Sequence, residues 1–192
     1  SSDAATQSWT DYSGREGYPK SKPMASFAED REGGLWMGFY GGGVVRFAND
    51  KFTPLGDGYG VPKGSVFGMH IDRSGRLWMA SSEDGITRID DPLAETPVLK
   101  RITETEGLSS NNVRCLAEDK DGNIYAGTVR GVSRIQGKPD QERVFTTADG
   151  LGSDFVQSAY RDRHGVMWFG TSNGLSKYDP VVQKVQAGRE VF

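Results

Sequence analysis

Four stretches of the chain align with one single-residue length difference in a loop: EDREGGLWMGFYGGGVVRF from Glu29, IDRSGRLWMASSEDGITRI from Ile71, EDKDGNIYAGTVRGVSRI from Glu118 and RDRHGVMWFGTSNGLSKY from Arg161. Their leading aspartates, Asp30, Asp72, Asp119 and Asp162, are 42, 47 and 43 residues apart. A period in the forties is that of a propeller blade, a unit of about four short strands that cannot bury both faces of its sheet alone. Stacking such units side by side solves the burial problem, so the repeat itself dictates an extended or circular array.

Each unit reads as the same series of strands. A first strand (Met24 to Glu29, Val66 to Ile71, Val113 to Glu118, Val156 to Arg161) runs into D-x-x-G. There the Asp can accept backbone N–H groups and the Gly can take the left-handed conformation of a tight hairpin. An apolar and an aromatic residue follow (Leu35-Trp36, Leu77-Trp78, Ile124-Tyr125, Met167-Trp168), then a loop closing on Gly43, Gly85, Gly131 or Gly174. The third strand alternates polar and apolar as V-V-R-F, I-T-R-I, V-S-R-I and L-S-K-Y. Fourth strands are expected at Lys51 to Leu55, Val98 to Thr103, Arg143 to Thr147 and Lys184 to Gln186, and a similar segment, Ser8 to Tyr12, precedes the first unit. Four residues before each Asp stands a small side chain, Ser26, Gly68, Cys115 or Ser158, as expected where blades crowd toward an axis. The expectation is an all-β fold: a β-propeller or propeller arc of about four four-stranded antiparallel blades in a single domain over 1–192, with repeat cores at about 24–47, 66–89, 113–135 and 156–178.

Composition excludes several alternatives. The 26 glycines among 192 residues, with Pro92 and Pro97 breaking the longest glycine-free run, leave little room for a long helix. Balanced charge, 23 Lys+Arg against 26 Asp+Glu, with no basic block, argues against a nucleic-acid partner. No run approaches the roughly 18 apolar residues of a membrane span, so direct membrane insertion of this chain is not expected. The start, SSDAATQSW, lacks the basic and apolar regions of a signal peptide but is also what cleavage of one would leave. A single cysteine, Cys115, can form neither an internal disulfide nor a zinc site, and no cofactor is implied.

The pattern D-x-x-G-x-L-W-x-G-T-x-x-G-L-x-R, preceded by D-G-L and a short polar stretch, resembles the two-component regulator propeller repeat. It is carried here by EGLSSNNVRCLAEDKDGNIYAGTVRGVSRI and DGLGSDFVQSAYRDRHGVMWFGTSNGLSKY. The first two units depart from it, with longer loops (FYGGG, SSEDG) and lead-ins EGYPKSKP and DGYGVPKGS. The resemblance implies the periplasmic sensor region of bacterial hybrid histidine kinases, usually built of more than four such units and followed by a sandwich module and a membrane helix. The chain then reads as part of a sensor or a short stand-alone relative, periplasmic or extracellular.

Chemistry within the repeats is sparse. His70 and His164 have no partner suggested by spacing, and one Asp per unit places the carboxylates a blade apart, where they cap turns rather than share an ion. A sialidase-type Asp box needs its Gly one position earlier, and the His and Glu of a streptogramin lyase cannot be placed. The loops before the first strand and between the second and third strands share one end of a blade, and their residues vary over a constant frame. Phe39 and Tyr40, Lys63 and Ser65, Glu83 and Asp84, Asn111 and Asn112, Arg130, Asp154 and Asn173 are the candidate ligand-binding positions. The function expected is a non-catalytic ligand-sensing module for a small polar molecule or carbohydrate. A protein-interaction scaffold is the alternative, and a propeller lyase or hydrolase a third. Four units that stop short of a full ring would leave the faces around Trp36 and Trp168 without neighbours. Either the ring closes through Ser8 to Tyr12 or the C-terminal strand, or the chain self-associates through its terminal blades.

Overall fold

The structure, a computed structural model, describes residues 8–56, 60–135 and 143–180. The described residues form fifteen strands and two 3-10 turns of three residues each. The first sheet is β1 (Met24–Glu29), β2 (Leu35–Phe39), β3 (Val44–Ala48) and β4 (Lys51–Pro54). The second is β5 (Val66–Ile71), β6 (Leu77–Ser81), β7 (Ile86–Ile89) and β8 (Leu99–Ile102). The third is β9 (Val113–Glu118), β10 (Ile124–Thr128), β11 (Gly131–Ile135) and β12 (Arg143–Phe145). The last comprises β13 (Val156–Arg161), β14 (Met167–Thr171) and β15 (Gly174–Tyr178). Neighbours in sequence pair antiparallel in every sheet, the meander of a propeller blade. The expected fourth strand at Lys184 to Gln186 lies outside the described residues.

The D-x-x-G turns form as the sequence predicts. Asp30 Oδ1 accepts from the backbone N–H of Glu32 (3.0 Å) and Gly34 (2.9 Å), and Gly33 sits at φ +78°. The other oxygen of each Asp takes the aromatic two residues past the turn: Trp36 Nε1 donates to Asp30 at 2.9 Å, Trp78 to Asp72 at 2.8 Å and Trp168 to Asp162 at 2.9 Å. In the third blade the Tyr125 hydroxyl donates to Asp119 at 3.2 Å. One carboxylate thus folds the hairpin and fixes the ring that fills the next interface. Burial works against the charge on Asp30 and Asp72, yet their hydrogen bonds, including those from Arg46 and Trp78 respectively, outweigh it and hold both carboxyls below their usual range.

Blades pack in one direction. Trp36 and Val44 of the first blade meet Val66, Leu77, Met79 and Ile89 of the second. Trp78, Ala80 and Ile86 of the second meet Val113, Ile124, Ala126 and Ile135 of the third, and Tyr125 and Val132 of the third meet Val156, Met167 and Phe169 of the fourth. The aromatic position therefore always faces the following blade. The expectation that Trp36 faces an uncovered surface is corrected by this polarity, since Trp36 is only 3% exposed between the first two blades. Close approach at the inner strands explains the small residues: Ser26 Oγ donates to Val66 O at 2.6 Å, and a Cβ on Gly68 would lie 3.2 Å from Cys115 Cα. Cys115 is itself buried there, and desolvation pushes its thiol up to about 12.

The outer face of the first blade, bearing Met37, Phe39, Val45 and Phe52, is covered by Tyr12 and Tyr18. Their rings meet Phe47, Phe39 and Phe52 edge-on at 5.1 to 6.1 Å. Ser8 to Tyr12 is not a strand, contrary to the sequence expectation. Tyr12 is spent on side-chain packing against the first sheet, pinned by Arg15, which stacks on it at 4.2 Å and pairs with Asp50. Inner strands β1, β5, β9 and β13 pack in succession, and among the described residues no comparable packing joins β13 back to β1.

Candidate functional site

The loops at the two ends of the blades differ in kind. At the hairpin end, the arginine after the Asp of each of the first two units reaches the next blade. Arg31 donates to Arg73 O, and Arg73 in turn donates to the carbonyls of Asp119 and Lys120 and to Glu118 Oε1, the last at 2.8 Å. His70 Nε2 lies 3.3 Å from Glu118 Oε2 in the same clasp, and the backbone N–H of His164 donates to its own turn Asp162 at 2.9 Å. The hairpin end thus carries blade-to-blade fastenings, one of which takes in His70, while His164 sits in the turn of the last blade.

At the opposite end, each loop between the second and third strands hydrogen-bonds the lead-in of its own blade: Tyr40 N to Pro23 O, Ser82 N to Ser65 O, Val129 N to Asn112 O and Ser172 N to Phe155 O. The two loop types therefore do emerge together. Several of the sequence-predicted site residues are taken up in holding them. Asn111 and Asp154 occupy equivalent positions: Asn111 Oδ1 accepts from Glu104 N at 2.9 Å, and Asp154 Oδ1 from Thr147 N at 2.7 Å. Their backbone carbonyls accept from Gly85 and Gly131 of the preceding blade. Each closes a lead-in whose 3-10 turn has a Thr capping box and a left-handed Gly107 or Gly150.

In the second blade the division of labour is reversed. Asp84, on the loop, reaches into the lead-in of its own blade, accepting from Lys63 N (2.8 Å) and Gly64 N (3.0 Å) and pairing with Arg101. These bonds outweigh its burial and keep its carboxyl low. Asn173 Nδ2 donates to Gly152 O at 3.2 Å, Ser65 Oγ accepts from Gly41 N at 3.0 Å, and Arg130 stands 3.8 Å from Glu104 on the outer rim. Glu83 is exposed and Phe39 is fully buried in the first blade's core. Lys63 lines an open cleft of about 530 Å³ with Lys22, Gly41, Gly42 and Pro62. Lys22 Nζ is anchored there on the carbonyls of Gly41 and Gly42 at 3.1 and 2.9 Å.

What the structure brings together near the axis is a different set. In every blade the ladder between the first two strands skips a register just inside the loops, between Met24 and Ser26, Val66 and Gly68, Val113 and Cys115, and Val156 and Ser158. The skipped residues are Ala25, Phe67, Arg114 and Gln157. A β-bulge leaves its extra residue unpaired and re-aims its side chain. Two of these re-aimed side chains join two lead-in or loop aromatics in a row. Tyr40, half exposed, meets the edge of Phe67 at 5.6 Å. The Arg114 guanidinium then lies 4.5 Å from the Phe67 ring centre and 5.4 Å from that of Phe155. The row spans all four blades and mixes flat apolar faces with one cation. Of it, only Tyr40 was among the sequence-predicted positions. The available signal was the variability of Ala25, Phe67, Arg114 and Gln157 directly before an always-small residue, but a bulge leaves no mark in strand length or hydrophobic period.

Comparison with known proteins agrees with this architecture. Residues 107–130 and 150–173 match the two component regulator propeller family, so the third and fourth units carry that repeat. Among solved structures, the extracellular domain of a hybrid two component system from B. thetaiotaomicron is 24% identical, with TM-score 0.73 over 85% of this chain. That of a one component system from the same organism is 21% identical, with TM-score 0.70 over 92% of this chain. The chain spans only 22% and 25% of the length of those two domains. A virginiamycin B lyase from Staphylococcus aureus is 14% identical, with TM-score 0.60, over 82% of this chain and 56% of the lyase. No curated protein matches the sequence. At these identities the likeness establishes the propeller fold. Among the described residues no helix is long and apolar enough to cross a membrane.

Proposed function

We propose that the chain is a non-catalytic, extracytoplasmic recognition module that binds a small polar molecule or carbohydrate at the loop end of its blades, as part of a two-component signalling protein. The observation that carries this reading is the Tyr40–Phe67–Arg114–Phe155 row, in which bulges turn side chains out of the blade interfaces and leave them in line across neighbouring units. Aromatic faces beside polar groups stack on the C–H faces of sugars and on other flat ligands. Likeness to extracellular domains of bacterial two component systems supports the compartment. Both histidines sit at the hairpin end, away from this row, which favours recognition over lyase or hydrolase chemistry.

A thermal-shift screen of neutral and charged glycans and metabolites tests the reading. Hits are expected to raise the melting temperature of the wild type and to lose their effect in Phe67→Ala. A screen whose hits are indifferent to Phe67 and Tyr40 would move the site elsewhere, and turnover of a screened compound would restore the enzymatic reading.

A second reading, a surface for another protein chain or another copy of this one, is favoured by the last blade. Tyr160 and Leu175 are 65% and 69% exposed on the same face as Trp168. Light scattering after size exclusion tests it, and a 21.0 kDa monomer at all concentrations would reject association between copies.

A further inference from the structure

We infer that the row selects a ligand carrying a carboxylate beside a flat apolar face, with Arg114 as the group that reads the charge; this rests on the recognition reading above. Arg46, Arg73, Arg76, Arg88, Arg101 and Arg143 each lie within 4 Å of a carboxylate, at distances such as 2.7 Å for Arg46 to Asp30 and 2.6 Å for Arg76 to Asp72. Arg114 has neither an ion pair nor a hydrogen bond among the described residues, and its Nε is buried without a partner. Two residues upstream, the buried Asn112 Oδ1 also lacks one.

A buried donor left unpaired is costly, and such atoms are few in folded proteins. The guanidinium is also held in place. Phe67 and Phe155 flank it at 4.5 and 5.4 Å, which fixes its plane and reduces the rotamer freedom lost when a ligand arrives. A planar guanidinium whose terminal nitrogens have no acid or carbonyl on them is suited to a carboxylate, which accepts two parallel N–H bonds from such a fork. The adjoining rings supply apolar faces for whatever framework bears that carboxylate. Arg114 occupies a bulge, so its orientation is set by the backbone irregularity and not by a neighbouring acid.

The carboxylate could belong to a sugar acid or to an aromatic acid, and matched probes separate them. Titration calorimetry of the 192-residue chain with digalacturonate against neutral galactobiose, and with 4-hydroxybenzoate against 4-hydroxybenzamide, is the experiment. At least one acid should bind at least about tenfold more tightly than its neutral counterpart, with the difference shrinking as salt is raised. Arg114→Gln should abolish that preference without lowering the melting temperature, and Arg114→Lys should retain part of it. Equal binding of acid and neutral partner, or an acid preference that survives Arg114→Gln, overturns the carboxylate inference and leaves the recognition reading standing. If none of the four binds, the inference also fails, and the broader ligand screen then decides the recognition reading separately.

Discussion

The two ends of the blade array are built from the same repeat and finished differently. In the first blade four strands are present, Trp36 is buried against the second blade, and the opposite face is sealed by Tyr12 and Tyr18. In the last blade Met167 and Phe169 are buried against the third, while the face bearing Trp168 leaves Leu175 and Tyr160 mostly exposed. One motif is thus core in three units and surface in the fourth. A residue's role in a stacked repeat is set by which neighbour it faces, and here the Asp-bound aromatic always faces forward. The backward face needs a separate cover, and a pair of tyrosines outside the repeat supplies it.

Four measurements would break or sharpen that contrast. The largest effect is expected from truncating the aromatic itself. Trp78→Ala should cost about 3–5 kcal/mol in denaturant melts, as cavity-forming losses of large buried side chains do, whereas Trp168→Ala should cost about 1–2. Equal losses at both positions would mean the last blade is covered as well as the second. Next, Tyr12→Ala with Tyr18→Ala should cost about 2 kcal/mol through lost edge-on ring contacts and should increase concentration-dependent association by baring Phe39 and Phe52. Unchanged stability would show that the tyrosines merely rest on the sheet.

The third comparison concerns the turn carboxylates. Asp72 accepts from Ser74 N, Arg76 N, Arg76 Nε and Trp78 Nε1 within 3.0 Å while buried. Asp162 makes the equivalent turn and Trp168 bonds in a more open setting. Asp72→Asn should therefore cost about 1.5–3 kcal/mol at neutral pH and Asp162→Asn less. Both folded carboxyls lie below their ordinary range, Asp162 chiefly through its Trp168 bond, so both favour folding in the ionised form. That contribution is complete above an unfolded value of about 4 and drains away as pH falls through the folded values, so the wild type should lose stability below about pH 4. Asp72→Asn should flatten the acid limb of the curve of melting temperature against pH, and an unaltered limb would assign it to other carboxylates. The smallest change in stability, within about 0.5 kcal/mol, is expected for Leu175→Lys, because that side chain is already in water. It should nonetheless reduce any association through the last blade, and association that persists would exclude that face.

Most of the fold was legible because its determinants are local and repeated. Asp30 and its three counterparts, the left-handed glycines and the aromatic after the turn all lie within seven residues of one another. The direction in which Trp36 faces was not legible, since a strand's period shows that a residue leaves the sheet plane but not which neighbour awaits it. Nor was the use of Asp84, Asn111 and Asp154 as loop fasteners: a polar residue on a variable loop looks the same whether it meets a ligand or a backbone N–H of its own blade. Phe67 and Arg114 escaped for a further reason. The register skip that turns them out depends on pairing between two strands, and one strand's letters do not record it.

That skip bears on how such a module can change its taste. A side chain in the ladder is answerable to a partner across the sheet and to the blade beyond, so replacing it disturbs two packings at once. The bulged position has no opposite number. Alanine, phenylalanine, arginine and glutamine occupy it in the four units while the following residue stays small and the turn keeps its Asp and Gly. Each unit therefore carries one letter that can be rewritten at little cost to folding, and duplicating the unit adds another letter to the same line. On the proposed recognition reading, a new specificity can then be spelled one blade at a time.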